Sequence, residues 1–304
     1  MGHFKRRMLR DPGSYALLSG KADTSTAVVF VHGFSGNSVG TWVDFQNLID
    51  EVGGDWWEWC DLYFYDYSTF RSNIAVQAGR FQKFLKDLFP VPNPEWLGRP
   101  SPELMTLYDL PKEEIPLTAE YRRLVLVGHS LGGVIIRQAI ADAAVDYETS
   151  GAAGRATTEE LPQQFHWLAG GIRLFAPAMF GFDPTRFTGF CYHLASEIPR
   201  LGRFLKPALH ANPVHQELQP DSARLRETRK RTESMVSKYP WMDSLRAHLL
   251  FGARENIVYM ERYDCDPVFE IVEEQDHQSV CKPNAWYQRP LEFVSYGLSK
   301  PARV

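Results

Sequence analysis

Apolar positions along this chain fall into short continuous runs separated by stretches with helical spacing. Residues 27–31 form an unbroken β-branched and aromatic run bounded by Thr24, Thr26 and Gly33, the pattern of a strand covered on both faces. Residues 61–67 and 124–127 read the same way, and further strands are expected at 172–175, 248–251 and 256–260. Between the second and third of these, residues 74–89 place Ile74, Phe81, Phe84, Leu85 and Leu88 on one helical face until Pro90 stops the run. Residues 132–144 are apolar around most of their first turns, as in a helix wedged beneath a sheet. Strands alternating with helices imply crossover connections, so the chain is read as an α/β fold: a mostly parallel central sheet with helices on both faces.

Three stretches break this rhythm. Residues 90–116 contain seven prolines and are expected to form a surface loop that overhangs a pocket, with one short helix near 103–108. Residues 148–164 are rich in Gly, Ala and Thr and read as a mobile connection. From 179 to 244 an aromatic stretch leads into a basic, helix-prone run at 224–238, and the whole range is read as a lid or cap inserted over the carboxyl edge of the sheet. Arg224, Arg226, Arg229, Lys230 and Arg231 form either a solvated helix face or a patch for acidic lipid headgroups.

Length and charge narrow the function classes. At 304 residues the chain fits one large domain, 1–304, carrying the 179–244 insertion. Apolar residues at 44% and charged residues at 23% are those of a globular protein. With 33 Lys and Arg against 37 Asp and Glu, the net charge of −4 argues against a nucleic-acid binder driven by phosphate neutralisation. No apolar run approaches the roughly 18 residues of a membrane-spanning helix. The apolar stretch at 15–18 is too short for a signal peptide despite the basic residues before it, so export is not expected and a cytoplasmic location is. Gly2 is not read as a myristoylation site, because Arg6 stands where that motif takes Ser or Thr. Cys60, Cys191, Cys265 and Cys281 form no C-x-x-C pair and are read as reduced thiols; Cys265 and Cys281 would pair only in an exported chain.

The chemistry starts at Gly128-His129-Ser130-Leu131-Gly132, a G-x-S-x-G pattern between an expected strand and an expected helix. That setting makes a tight turn with a strained serine backbone, presenting the hydroxyl at the sheet edge with a helix N-terminus behind it. A serine hydroxyl is a poor nucleophile at neutral pH, so a base and an oxyanion site must lie elsewhere in the chain. The strand ending Val31-His32-Gly33-Phe34-Ser35-Gly36 supplies the second: the amides of Phe34 and Leu131 are the expected oxyanion donors. His277 is the expected base, since it follows Ser130 in the order Ser, acid, His and sits on a polar loop; His32 and His129 lie inside the turns and are read as structural. The acid is Glu255, just past the strand at 248–251, with Asp266 and then Asp264 as alternatives after the run at 256–260. Asp276 is too close in sequence to fold back onto the His277 ring and is read as solvated or as a cap. Met179, Phe180 and Phe182 either line an apolar acyl pocket or seat the insertion. No H-E-x-x-H or Walker spacing occurs, and no metal or cofactor is expected. Trp56, Trp57 and Trp59 are read as core or surface anchors.

With His32-Gly33-Phe34-Ser35-Gly36, Gly128-His129-Ser130-Leu131-Gly132-Gly133 and Asp276-His277 in this order, the chain resembles the α/β-hydrolase superfamily over nearly its whole length. The ending Asp276-His277-Gln278-Ser279-Val280-Cys281-Lys282 is similar to the tail of a lipase-like group that includes the GPI inositol deacylases and the serine-active-site-containing lipid-remodelling proteins. The acidic residue soon after the preceding strand, here Glu255, also fits that group. Members commonly carry G-T-P-H-x-G after the strand that follows the nucleophile helix, whereas this chain reads Phe175-Ala176-Pro177-Ala178-Met179-Phe180-Gly181, so the substrate wall differs.

The expected function is therefore a serine hydrolase cleaving carboxylic esters of lipids or small molecules, with Ser130 as nucleophile, His277 as base and Glu255 orienting it. The same set serves thioesters and amides. Two alternatives are carried: a membrane-interfacial phospholipase or acyltransferase-type lipid-remodelling enzyme with peripheral membrane contact, and a binding protein that kept the fold without catalysis. The sequence leaves the oligomeric state open.

Overall fold

A computed structural model of the chain describes residues 4–11, 13–21, 24–52, 57–69, 72–93, 120–150, 161–187, 189 and 212–298. Eight strands form one sheet in the order β1-β2-β4-β3-β5-β6-β7-β8: β1 (Lys5–Met8), β2 (Tyr15–Leu18), β3 (Thr26–Val31), β4 (Cys60–Tyr65), β5 (Arg123–His129), β6 (Gly171–Phe175), β7 (Ala247–Gly252) and β8 (Glu270–Val272). From β4 to β8 every pairing is parallel; β1 and β2 add an antiparallel hairpin at the β4 edge. The helices are α1 (Val43–Val52), α2 (Ile74–Leu88), α3 (Leu131–Thr149), α4 (Pro213–Glu217), α5 (Ala223–Lys238) and α6 (Arg289–Ser295).

The two-residue repeat of the strands sorts the helices onto the two faces. Phe30 and Phe64 pair in register, stack on each other, and meet Trp42 and Phe45 around the start of α1. Phe45 also touches Phe175, which packs on Phe293 of α6, so α1 and α6 cover one face. The next residue along β4, Tyr65, points the other way, onto Phe81 and Phe84 of α2. On that second face α2 packs on α3, which in turn packs on α5. Both faces of β3, β4 and β5 are thus covered, which is why these strands are continuous apolar runs.

Several elements differ from the sequence expectation. Residues 256–260 are not a strand; only Val258 makes an isolated bridge, to Phe182. The final strand is instead Glu270–Val272, whose three residues are too few and too exposed to carry a period. Within the range 179–244, α5 is the crossover helix between β6 and β7 rather than a lid, because Thr228 donates to Gln138 and Arg231 reaches Asp142, both on α3. Its charges are largely paired: Arg224 with Glu217, Arg229 with Glu233, Arg231 with Glu227, and Lys238 with Glu148. The short helix expected at 103–108, most of the 148–164 connection and residues 190–211 of the insertion lie outside the described residues, as does Cys191. Cys60, Cys265 and Cys281 are free thiols. Among the described residues no helix is long and apolar enough to cross a membrane.

Candidate active site

Ser130 sits between β5 and α3 with φ 53° and ψ −117°, left-handed backbone that a residue with a Cβ adopts only under constraint. The constraint is visible. The Ser130 amide donates to the Phe175 carbonyl at 3.0 Å, and the Ser130 carbonyl accepts from Gly133 at 3.1 Å and from Ala178 at 3.2 Å. The segment Ala176–Ala178 is therefore part of the clamp that holds the serine. Gly132 lets α3 start directly under β3: a Cβ there would lie 2.3 Å from the Val31 carbonyl oxygen and 2.5 Å from that of His32. Both obstacles are backbone, so Gly132→Ala is expected to cost about 3 kcal/mol or more, read as a lowered urea midpoint at unchanged slope.

The structure brings Ser130, His277 and Glu255 together. The Ser130 hydroxyl donates to His277 Nε2 at 3.0 Å, and His277 Nδ1 donates to Glu255 Oε2 at 2.9 Å. Glu255 is held in turn: its other oxygen, Oε1, accepts from the Ile257 amide at 2.8 Å and the Val258 amide at 3.0 Å. All three side chains are buried. The loops carrying the histidine and the acid are tied to each other, since Arg254 donates to the Gln275 carbonyl and Gly252 leaves no room for a Cβ beside it. Asp276 is not the cap of the short helix that follows; its Oδ1 accepts from the amides of Gln278 and Ser279 in its own turn, which hold its carboxyl below the usual range against the opposing effect of burial.

The other two acids are elsewhere. Asp266 is buried against the Arg137 guanidinium of α3 and accepts from the Ala247 amide at 2.8 Å. Asp264 is exposed and faces Arg229. Phe34 and Leu131 lie on the two turns flanking Ser130; a Cβ at Gly33 would come within 3.0 Å of the serine Cβ, which measures how closely the Phe34 turn approaches. Phe182 stacks on Phe187 at 4.0 Å, and Phe187 meets Phe34 edge-on at 5.3 Å, so an aromatic wall runs from the insertion to that turn. Met179 is buried, while Phe180 packs on Tyr263 under the Arg229 guanidinium.

Both histidines of the turns are structural supports. His32 Nε2 donates to Asp66 at 2.8 Å while its ring stacks on Tyr67. His129 Nε2 donates to the His277 carbonyl at 2.7 Å, tying the serine turn to the histidine loop, a contact no motif announces. Burial, helped by the neighbouring His277, pushes His129 down to about 3. Its stabilising contribution is fully present above about pH 6.5 and is lost as pH falls towards 3, because the unfolded chain takes up the proton first. Relative to His129→Gln, which keeps a donor, the wild type is expected to lose up to about 1.4 kcal/mol more stability per pH unit between pH 6 and 4, read by urea denaturation.

Two cavities flank the Phe34 turn. One of about 1050 Å³ runs from Ser35 and Gly36 to Tyr67, Arg80 and Lys83; the other, of about 210 Å³, lies between the turn and the loop after His277. Among the described residues no group of three His, Cys, Asp or Glu side chains is placed to hold a metal ion.

The sequence profile described as "Alpha/beta hydrolase family" matches residues 28–295. No curated protein matches the chain. Solved structures similar to it include the peroxisomal alpha-beta-hydrolase Lpx1 of Saccharomyces cerevisiae, at 11% identity and TM-score 0.47, covering 100% of this chain and 92% of that one. The Pyrococcus furiosus esterase Pf2001 is similar at 14% identity and TM-score 0.45 (97% and 92% covered), and the Bacillus subtilis carboxylesterase CesB at 15% and 0.42 (97% and 92%).

Proposed function

The chain belongs to the alpha/beta hydrolase family, and on that premise we propose that it is a serine hydrolase cleaving carboxylic esters of lipids or small molecules through an acyl-enzyme on Ser130. The observation that carries this reading is the continuous chain of hydrogen bonds from the Ser130 hydroxyl through His277 to Glu255. Glu255 accepts from Nδ1, which leaves Nε2 as the acceptor facing the hydroxyl. As Ser130 Oγ bonds to the ester carbonyl carbon, its proton passes to His277 Nε2. The carbonyl oxygen becomes an oxyanion, held by the amides of Phe34 and Leu131 and by the positive end of α3. Collapse breaks the bond to the alcohol, which leaves with the proton from His277. A water then repeats the sequence, giving its proton to His277 and its oxygen to the acyl carbon, and Ser130 is regenerated. The aromatic wall of Phe182 and Phe187, with the buried Met179 of the same segment, supplies an apolar side for the acyl chain. Phe180, packed on Tyr263, seats the insertion in this reading.

The test is labelling with a fluorophosphonate probe: wild type should react stoichiometrically and Ser130→Ala not at all. A wild-type protein inert to the probe and to p-nitrophenyl esters from C2 to C16 would instead fit a binding protein. The narrower kinship with the GPI inositol deacylases and lipid-remodelling proteins rests on the sequence 276–282. The largely paired arginines of α5 speak against a free basic face for membranes, so salt-sensitive co-sedimentation with anionic liposomes is not expected.

A further inference from the structure

The 210 Å³ cavity is smaller than the 300–1,000 Å³ typical of a site for a whole small ligand, and so has the size for one group of a substrate. It is walled by Gly33 and Phe34 on one side, by Gln278 and Lys282 of the loop just past His277 on the other, and by His129, the residue before Ser130. Asn37 and Thr41 add neutral polar side chains, and no aspartate or glutamate lines it. Lys282 makes no ion pair with any described residue, whereas the cations of α5 are mostly matched. Of the carboxylates whose field reaches the adjacent Cys281, Asp276 is occupied by amides of its own turn and neither it nor Asp44 lines the cavity. The ammonium is near enough to His129, at the cavity wall, to help keep that ring neutral. Cys281 contributes no reactivity, since burial pushes its thiol up to about 12.

We propose that this cavity is an anion subsite, in which Lys282 receives a carboxylate or phosphate group carried by the substrate close to its scissile ester. The inference deepens the Ser130 reading and rests on it for the reaction, though not for the binding. A single ammonium a few ångströms from a bound anion, at the edge of solvent, is worth about tenfold in affinity. Cys281 is buried in the core, and the next residue, Lys282, lines the cavity.

The experiment compares mono-p-nitrophenyl glutarate, which carries a free carboxylate, with neutral p-nitrophenyl butyrate. Wild type is expected to favour the glutarate ester about tenfold in kcat/KM at low ionic strength, with the preference shrinking in 0.5 M NaCl. Lys282→Gln should bring the ratio to about one through KM, Lys282→Arg should retain most of it, and Lys230→Gln on exposed α5 should leave it unchanged. A ratio near one in wild type, or an undiminished ratio in Lys282→Gln, overturns the proposal. Should wild type hydrolyse neither ester and take no fluorophosphonate, the Ser130 reading has failed, and calorimetric titration with glutarate and with inorganic phosphate tests the cavity alone. Binding by wild type that is lost in Lys282→Gln supports the subsite, and the tighter of the two anions tells carboxylate from phosphate; no binding by wild type removes it.

Discussion

Replacing Ser130 with alanine is expected to lower kcat on p-nitrophenyl butyrate about 10⁵-fold, equivalent to roughly 7 kcal/mol of barrier. Cys281, on the loop after His277, does not substitute for it, because its thiol is buried and protonated. The residual rate comes from whatever the Phe34 and Leu131 amides do for a bound ester attacked by water, typically about 10³-fold over the free reaction. Stability should hardly move, because alanine is as strained as serine at φ 53°. Ser130→Gly is the sharper companion. Glycine adopts that backbone freely, so the variant is expected to be as inactive as Ser130→Ala yet about 1 kcal/mol more stable in urea denaturation. Loss of activity together with a gain in stability identifies strain retained for function. An alanine variant keeping a tenth of wild-type turnover would end the nucleophile assignment.

How much of this was legible follows from where each signal resides. The central strands were legible because helices on both faces make them unbroken apolar runs, as at β3 and β5. The β1–β2 hairpin was not: Lys5–Met8 reads as a basic tail, and it becomes a strand only by pairing with Tyr15–Leu18, where Arg6 lies over the Tyr15 ring. Nor was α1, whose apolar face answers to Phe30 and Phe175 on strands far apart in sequence. Helix α5 was expected from its composition and misplaced, because its partners on α3 lie about 90 residues earlier. At the site, the serine turn is local in sequence and the chain order of serine and histidine pointed to His277. The contact of His129 with the His277 carbonyl and the place of Lys282 in the cavity wall are tertiary facts that no spacing encodes. The same holds for the acid, where three candidates within twelve residues differ only in what they meet across the fold.

That difference makes the second large prediction. Glu255→Gln keeps an acceptor for the Ile257 and Val258 amides, so the loop should hold. The amide that replaces Oε2, however, presents N–H to His277 Nδ1 and favours the tautomer whose Nε2 carries the proton. Such a ring cannot accept from Ser130, and kcat should fall about 10³- to 10⁴-fold at little cost in stability. Asp266→Asn should do the reverse. It leaves the Arg137 charge buried beside a neutral partner, which is expected to cost about 3–5 kcal/mol, while turnover per folded molecule stays within about threefold. Because that single variant risks not folding, Arg137→Met/Asp266→Leu is the companion: removing both charges at once should recover much of the stability and leave activity near wild type. Urea denaturation and kcat measured on the same four proteins separate the two carboxylates. If Asp266→Asn were stable and inactive while Glu255→Gln turned over normally, the histidine would be oriented by Asp266, and the 2.9 Å contact between His277 and Glu255 would be incidental to the reaction.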